Sequence, residues 1–308
     1  MGTPMNTAEW ARFVLPIVRK EWYQRVSALA SPLQPIFGIG TSVSSVEYSQ
    51  GIGELGLVPE YNSATAEGAP GSLEYDSFNP LYEKTFTHKE YAKGIAIERK
   101  LWDDTSRQGL IPRRAAGLGN AFATTVATHM SSVFNNAFSD SYLGSDGEPL
   151  CETNHPNRAT DTGTTFSNTG TTALSHDAVV AARAVGMALD DDRGNPFPVF
   201  YDTLIVPPAL AATGQIIVGS AARSGTGNND INTNSGMRLI VDPYLTDANN
   251  WFLVDSNLAP QHLLWFWRVM PEINMDPASN FNLVARFSGY MRYSFGFDDW
   301  RWIYGSEV

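Results

Sequence analysis

From residue 111 to residue 138 an apolar side chain returns every three or four positions: Ile111, Ala115, Leu118, Phe122, Val126, Met130, Val133 and Ala137. That period marks one stripe of an α-helix. Pro112 suits its first turn, where a missing N–H costs no hydrogen bond. A helix of this extent runs about 40 Å at 1.5 Å per residue. Two features sit badly in it. Gly117 and Gly119 weaken a helix by about 1 kcal/mol each relative to Ala, which close packing against a strand would explain. Arg113 and Arg114 lie in the first turn, the positive end of the helix dipole, and point to an anionic partner on this chain or another.

The flanking segments have distinct characters. Over residues 7–30, Trp10, Phe13, Val14, Ile17, Val18, Trp22 and Val26 form one face of a helix. Pro32, Pro35, Gly38 and Gly40 end it and begin an extended arm. That helix either packs on its own domain or lies across a neighbour. From residue 42 to 104 the pattern is strand-like. Val46, Tyr48, Ile52, Leu55 and Leu57 precede a turn-rich stretch at 62–80, and Leu81, Glu83, Thr85, Thr87 and Lys89 then alternate with Tyr82, Lys84 and Phe86. This pattern predicts a long hairpin with a polar, Gly/Pro-rich tip. Loops of that length inside a compact domain are usually functional.

Beyond the long helix, residues 140–172 read as a polar loop with short strands. A second helix starts at a Ser175 cap, runs through Val179, Ala182, Val185, Met187 and Leu189, and ends at Asp190, Asp191, Asp192, Arg193 and Gly194. A buried strand at 200–206, a helix opened by Pro207 and Pro208, an insert at 220–235, and strands at 237–241 and 251–254 make a small mixed α/β lobe. Aromatic β runs follow at 263–269, 281–287 and 290–297. Five of the eight tryptophans lie at position 251 or later: Trp251, Trp265, Trp267, Trp300 and Trp302. The fold class expected is α+β.

Composition narrows the function. Of 308 residues, 43% are apolar but only 17% charged, below the roughly 25% usual for soluble domains. Such a chain hides much of its surface in an assembly or in a large core. The net charge of −11 argues against a general nucleic-acid binder, though not against a container for DNA. Cys151 is the sole cysteine, so neither an intrachain disulfide nor a multi-thiolate metal site is expected. No apolar run reaches the roughly 20 residues that span a bilayer, so no membrane association is expected. The first residues lack a signal-peptide pattern, and assembly in the cytoplasm is the expectation.

Catalytic chemistry is scarce. His88, His129, His155, His176 and His262 form no metal-ligand set. The phrase Thr153-Asn154-His155-Pro156 invites a catalytic reading for His155, but no nucleophile motif accompanies it. Neither a P-loop nor a dinucleotide fingerprint occurs. No catalytic, cofactor or metal site is therefore assigned. Asp190, Asp191 and Asp192 stand at a helix C-terminus, where three carboxylates are unfavourable. Ca²⁺ would suit them chemically, but an arginine is the simpler remedy, with Arg193 adjacent and Arg183 upstream. Of five lysines, Lys84, Lys89, Lys93 and Lys100 lie on the second hairpin strand and its continuation. They either solvate and protect a strand edge or pair with acidic surface on a neighbour. Candidate inter-subunit contacts are Trp10, Phe13, Trp22, Lys84, Lys89, Lys93, Arg113, Arg114, Asp190, Asp191 and Asp192.

The order of these elements resembles a known family. The stretch Tyr82-Glu83-Lys84-Thr85-Phe86-Thr87-His88, leading to Ile97-Glu98-Arg99-Lys100-Leu101-Trp102-Asp103-Asp104, looks like the hairpin-to-spine junction of Mu-type head subunits. So do Leu204-Ile205-Val206-Pro207-Pro208 and Val241-Asp242-Pro243-Tyr244-Leu245-Thr246-Asp247, followed by Trp251-Phe252-Leu253. Together they resemble a tailed-bacteriophage major capsid protein of the Hong Kong 97 fold.

That resemblance implies an N-terminal arm at 1–41 and an extended hairpin loop at 42–99. A peripheral domain with a spine helix would take 100–171 and 262–308, and an axial domain 172–261. It implies a subunit without enzymatic activity, forming the hexamers and pentamers of an icosahedral shell around double-stranded DNA. A separate scaffolding protein, a portal and a decoration protein would be its partners. Some relatives lock their shells with a Lys–Asn isopeptide bond; the tip at 62–80 holds no lysine, so none is expected. Deleting residues 1–30 is expected to abolish shells while leaving the core folded. An encapsulin-like compartment and a hydrolase using His155 are the alternatives.

Overall fold

The computed structural model describes residues 7–28, 31–52, 58, 80–98, 100, 110–157, 165–191, 193–223, 230–276 and 284–308. Its longest helix, α2 (Leu110–Asn135), buries Ile111, Ala115, Leu118, Phe122, Met130, Val133 and Phe134 on the stripe read from the sequence. Two sheets meet along it.

The first sheet has the order β1 (Gly38–Thr41), β11 (Leu263–Asp276), β12 (Val284–Phe297), β4 (Lys89–Glu98). β1 runs parallel to β11, while β11–β12 and β12–β4 are antiparallel. On β12, Ala285, Phe287, Met291 and Tyr293 are buried, and Arg286 and Ser288 between them are exposed. This alternation is that of a sheet covered on one face. The cover is α2 together with α1 (Thr7–Ala28). Gly289 seats the Phe122 ring, and a Cβ there would lie 2.6 Å from it.

The second sheet has the order β7 (Thr169–Gly170), β13 (Ile303–Ser306), β10 (Trp251–Val254), β8 (Thr203–Val206), β9 (Arg238–Val241). β8 and β10 are buried at every residue, as central strands covered on both faces should be. Around this sheet lie α3 (His176–Met187) and α4 (Ala211–Gly219). Ser175 caps α3 by accepting from the Ala178 N–H. A short helix, α5 (Ala259–His262), leads into β11.

The C-terminal end of α2 joins the two sheets. Phe134 packs edge-on against Phe252 at 5.4 Å and Trp302 at 6.3 Å. Ser131 donates to Asp242, and Asn135 Nδ2 donates to the Tyr244 carbonyl. One continuous core results.

Outside both sheets stands a two-stranded antiparallel ribbon, β2 (Val46–Ile52) with β3 (Pro80–Thr87). It is the hairpin expected from alternation; its tip lies outside the described residues. A further small pair, β5 (His155–Pro156) with β6 (Thr165–Phe166), sits in the polar loop.

Several expectations are corrected. The helix α1 packs on its own chain: Val18 and Trp22 are fully buried, and Trp22 meets Phe122 edge-on at 5.8 Å. Removing residues 1–30 would therefore open the core. Gly119 serves a helix and not a strand, since a Cβ there would lie 2.8 Å from the Trp22 carbonyl oxygen, while Gly117 faces open space. The aromatic runs of the tail fuse into two 14-residue strands. β4 pairs with β12 instead of extending the ribbon, and β13 crosses into the second sheet.

Candidate assembly surface

The ribbon is fastened to the body at its root. Phe86 is buried there, edge-on to Phe266 at 5.6 Å. Ser49 donates to Asp298, which also accepts from His262 Nδ1 at 2.9 Å. Burial opposes a charged imidazole at His262, but the Asp298 hydrogen bond and the nearby Asp299 carboxylate outweigh it and raise its pKa. Lys84 Nζ donates to the Leu143 carbonyl at 2.5 Å. Burial lowers the Lys84 pKa, with Asp146 acting in the opposite direction. The opposite face of the ribbon is bare, with Tyr48 65% exposed and Gln50, Glu83 and Thr85 also exposed.

The candidate contact residues divide in three. Trp22, Lys84 and Asp191 are engaged within the chain. Asp191 is buried and accepts from the Arg193 and Asn195 N–H groups and from Asn195 Nδ2. Burial alone would raise its pKa, but these hydrogen bonds prevail and hold it below the usual carboxylate value. The loop itself thus satisfies Asp191. Arg183 is engaged elsewhere, donating to the Thr233 carbonyl and to Asn234 Oδ1. Lys89, Lys93, Arg113, Arg114 and Asp190 are exposed and available. Trp10 and Phe13 belong to α1, but their side chains lie outside the described residues, as does Asp192. Sequence reading missed the exposed apolar side chains of the second lobe, notably Phe200 at 62% and Ile231 at 82%. A bulky apolar residue in a strand-like or loop segment carries no sign of which way it faces.

His155 is not a catalytic base. It is fully buried and stacked on Trp300 at 4.3 Å. Its Nδ1 lies 2.7 Å from Asp146 Oδ2 and its Nε2 lies 3.1 Å from Asn168 Oδ1. Both ring nitrogens are occupied and no substrate can reach them, so the hydrolase reading falls. Asn168 is the hub of this brace and went unnoticed in the sequence. Its Nδ2 donates to the Leu150 and Ile303 carbonyls, and its Oδ1 accepts from the Glu152 N–H. Burial holds the Cys151 thiol well above its ordinary pKa, keeping it protonated. Among the described residues no group of His, Cys, Asp and Glu side chains is placed to hold a metal ion. No helix among them is long and apolar enough to cross a membrane.

The geometry is thus a braced body with a projecting ribbon and an exposed, chemically quiet surface. Solved structures share this architecture. The capsid of the cyanophage P-SCSP1u matches with a TM-score of 0.58 at 12% identity, over 90% of this chain and 88% of its own. The procapsid of bacteriophage JBD30 matches with a TM-score of 0.55 at 13% identity, over 100% and 76%. The JBD30 capsid decorated with minor capsid protein trimers matches with a TM-score of 0.55 at 11% identity, over 70% and 91%. The fold is the Hong Kong 97-like capsid fold. No curated protein matches the chain. The family model described as "Phage capsid protein" matches residues 82–306, from the second strand of the ribbon through α2 to the last strand, and so the chain belongs to the phage capsid protein family.

Proposed function

We propose that this chain is the major head subunit of a tailed phage and works mechanically, without catalysis. It assembles into the hexamers and pentamers of an icosahedral shell that encloses double-stranded DNA. The observation that carries this reading is the β2–β3 ribbon. A two-stranded ribbon is marginally stable in water by itself, and among its described residues one face is exposed. An exposed tyrosine on such a projection suits a contact completed by another subunit. Many modest contacts of this kind add up through multivalency.

In this reading residues 1–41 form the arm, 42–99 the hairpin region, 100–171 with 262–308 the peripheral domain, and 172–261 the axial domain. Exposed Val180, Met187, Phe200 and Ile216 then supply apolar contacts around the axial lobe. Assembly takes place in the host cytoplasm on a separate scaffolding protein, with a portal at one vertex. The decorated JBD30 capsid supports adding a minor capsid protein as an outer partner. No observation favours an encapsulin-like compartment.

Negative-stain electron microscopy with light scattering on the purified protein tests the proposal. Closed shells, or free rings of five or six, are the expected result. A uniform monomer or dimer, even with scaffold supplied, would overturn it.

A further inference from the structure

The two faces of the first sheet differ in charge. On the helix side, α2 carries no Asp or Glu from residue 110 to 135, yet exposes Arg113 and Arg114. α1 adds exposed Arg19, Lys20 and Arg25. Arg25 flanks the helix at Gly119, where an added Cβ would lie 3.0 Å from its own Cβ. On the opposite flank, Lys93 lines a shallow groove with Glu90, Ala121, Phe122 and Thr125. Lys89 shares the parity of Lys93 on β4 and stands close enough to His129 of α2 to assist burial in lowering its pKa. Arg113 and Arg114 lie toward the start of the helix, about 11 Å from Ala121 and about 23 Å from His129 at 1.5 Å per residue. Together these side chains form one basic band across the helix layer.

Among the described residues none of these cations makes an ion pair. Half-buried Glu21 and Glu90 at the edge of the Lys93 groove are the acidic exceptions on the described part of this face. The Glu90 carboxylate lies 3.8 Å from Arg292. The opposite face is mixed, holding Arg268, Arg286 and Arg292 with Glu98 and Glu272. A basic band of this kind in a chain of net charge −11 is unexplained by folding.

We propose that this helix-side face is the inner wall of the shell and contacts the backbone phosphates of the packaged duplex. The inference rests on the reading of the chain as a DNA-enclosing shell subunit. Beyond Arg113 and Arg114 the exposed stripe of α2 is small or polar, with Gly117, Asn120 and Thr124, while α1 exposes Ile17 and Tyr23 beside its cations. Flexible, solvated Lys and Arg side chains without a pocket suit phosphate contacts, which position a duplex and read no sequence. Each contact releases a counterion and weakens with salt. The remaining acidic surface repels DNA, so binding stays shallow and does not impede exit.

The test is the salt dependence of binding between the full-length chain and a short fluorescent DNA duplex, read by anisotropy. The slope of log K against log salt should fall by about 1.8 in the double variant Arg113→Gln/Arg114→Gln, at 0.9 per lost contact. Lys89→Gln/Lys93→Gln should lower it equally, and Arg286→Gln on the opposite face should leave it unchanged. In DNA-filled particles, ultraviolet cross-links should fall on peptides of residues 110–135. Equal slopes in all variants, no duplex binding by the parent chain at low salt, or cross-links confined to other peptides would each overturn the proposal. Face variants that bind duplex normally but fail to form shells would assign the band to a protein partner, overturning the DNA contact while the shell reading stands. A parent chain that forms no shells would remove the shell reading itself, and the inner wall with it.

Discussion

The β11–β12 pair and the β2–β3 ribbon are both antiparallel pairs of one chain, yet they stand in opposite circumstances. In the first, Trp265 stacks on Tyr293 at 4.4 Å and on Phe295 at 5.2 Å, beneath two helices. In the second, the strands carry Glu83, Thr85 and Thr87 toward solvent, and only Phe86 is buried at the root. Backbone pairing is the same in both. The difference is burial, which supplies roughly 25 cal/mol for each Å² of apolar surface removed from water. A ribbon without that term stays ordered through its anchor and its neighbours.

Four substitutions would break or sharpen this contrast. Trp22→Ala should cost about 3–5 kcal/mol by loss of a buried aromatic, seen as a lower urea midpoint. An unchanged midpoint would show that α1 does not belong to the core. Asn168→Ala should cost about 1–3 kcal/mol by stranding the buried groups it satisfies, again by urea unfolding; a neutral result would mean water replaces the side chain.

His262 probes the junction between body and ribbon, with a smaller effect. Its folded pKa is raised, so its pairing with Asp298 stabilises fully below the ordinary histidine value and fades as pH climbs through the raised one. The melting temperature should therefore fall more steeply above neutrality in the parent chain than in His262→Gln. Parallel pH profiles would dissociate the pair from stability. Tyr48→Ala should change folding by no more than about 0.5 kcal/mol, as surface substitutions do, while reducing the yield of shells counted by electron microscopy. A destabilised monomer with normal shells would reverse the roles assigned to ribbon and body.

Candidate surface residues were legible only in part. Lys89, Lys93, Arg113 and Arg114 stand out in the sequence because charge on a strand edge or at the wrong end of a helix is a local anomaly, and all four are exposed. The partners that Trp22, Lys84 and Asp191 meet within the chain were not legible, since they come from distant or irregular segments. Residue type reports that a side chain needs a partner, without naming it.

Periodicity determined the α2 stripe, the Ser175 cap, the ribbon and the buried runs of β8 and β10, because each depends on residues within a turn or two of one another. Tertiary structure alone decided the rest. It paired Gly38–Thr41 in parallel with a strand more than two hundred positions away, brought β13 into the second sheet, and made Asn168 a hub for carbonyls from two segments. Such pairings depend on which surfaces meet after collapse. A short strand or a lone polar residue looks the same in sequence whether its partner is water, its own chain or another subunit.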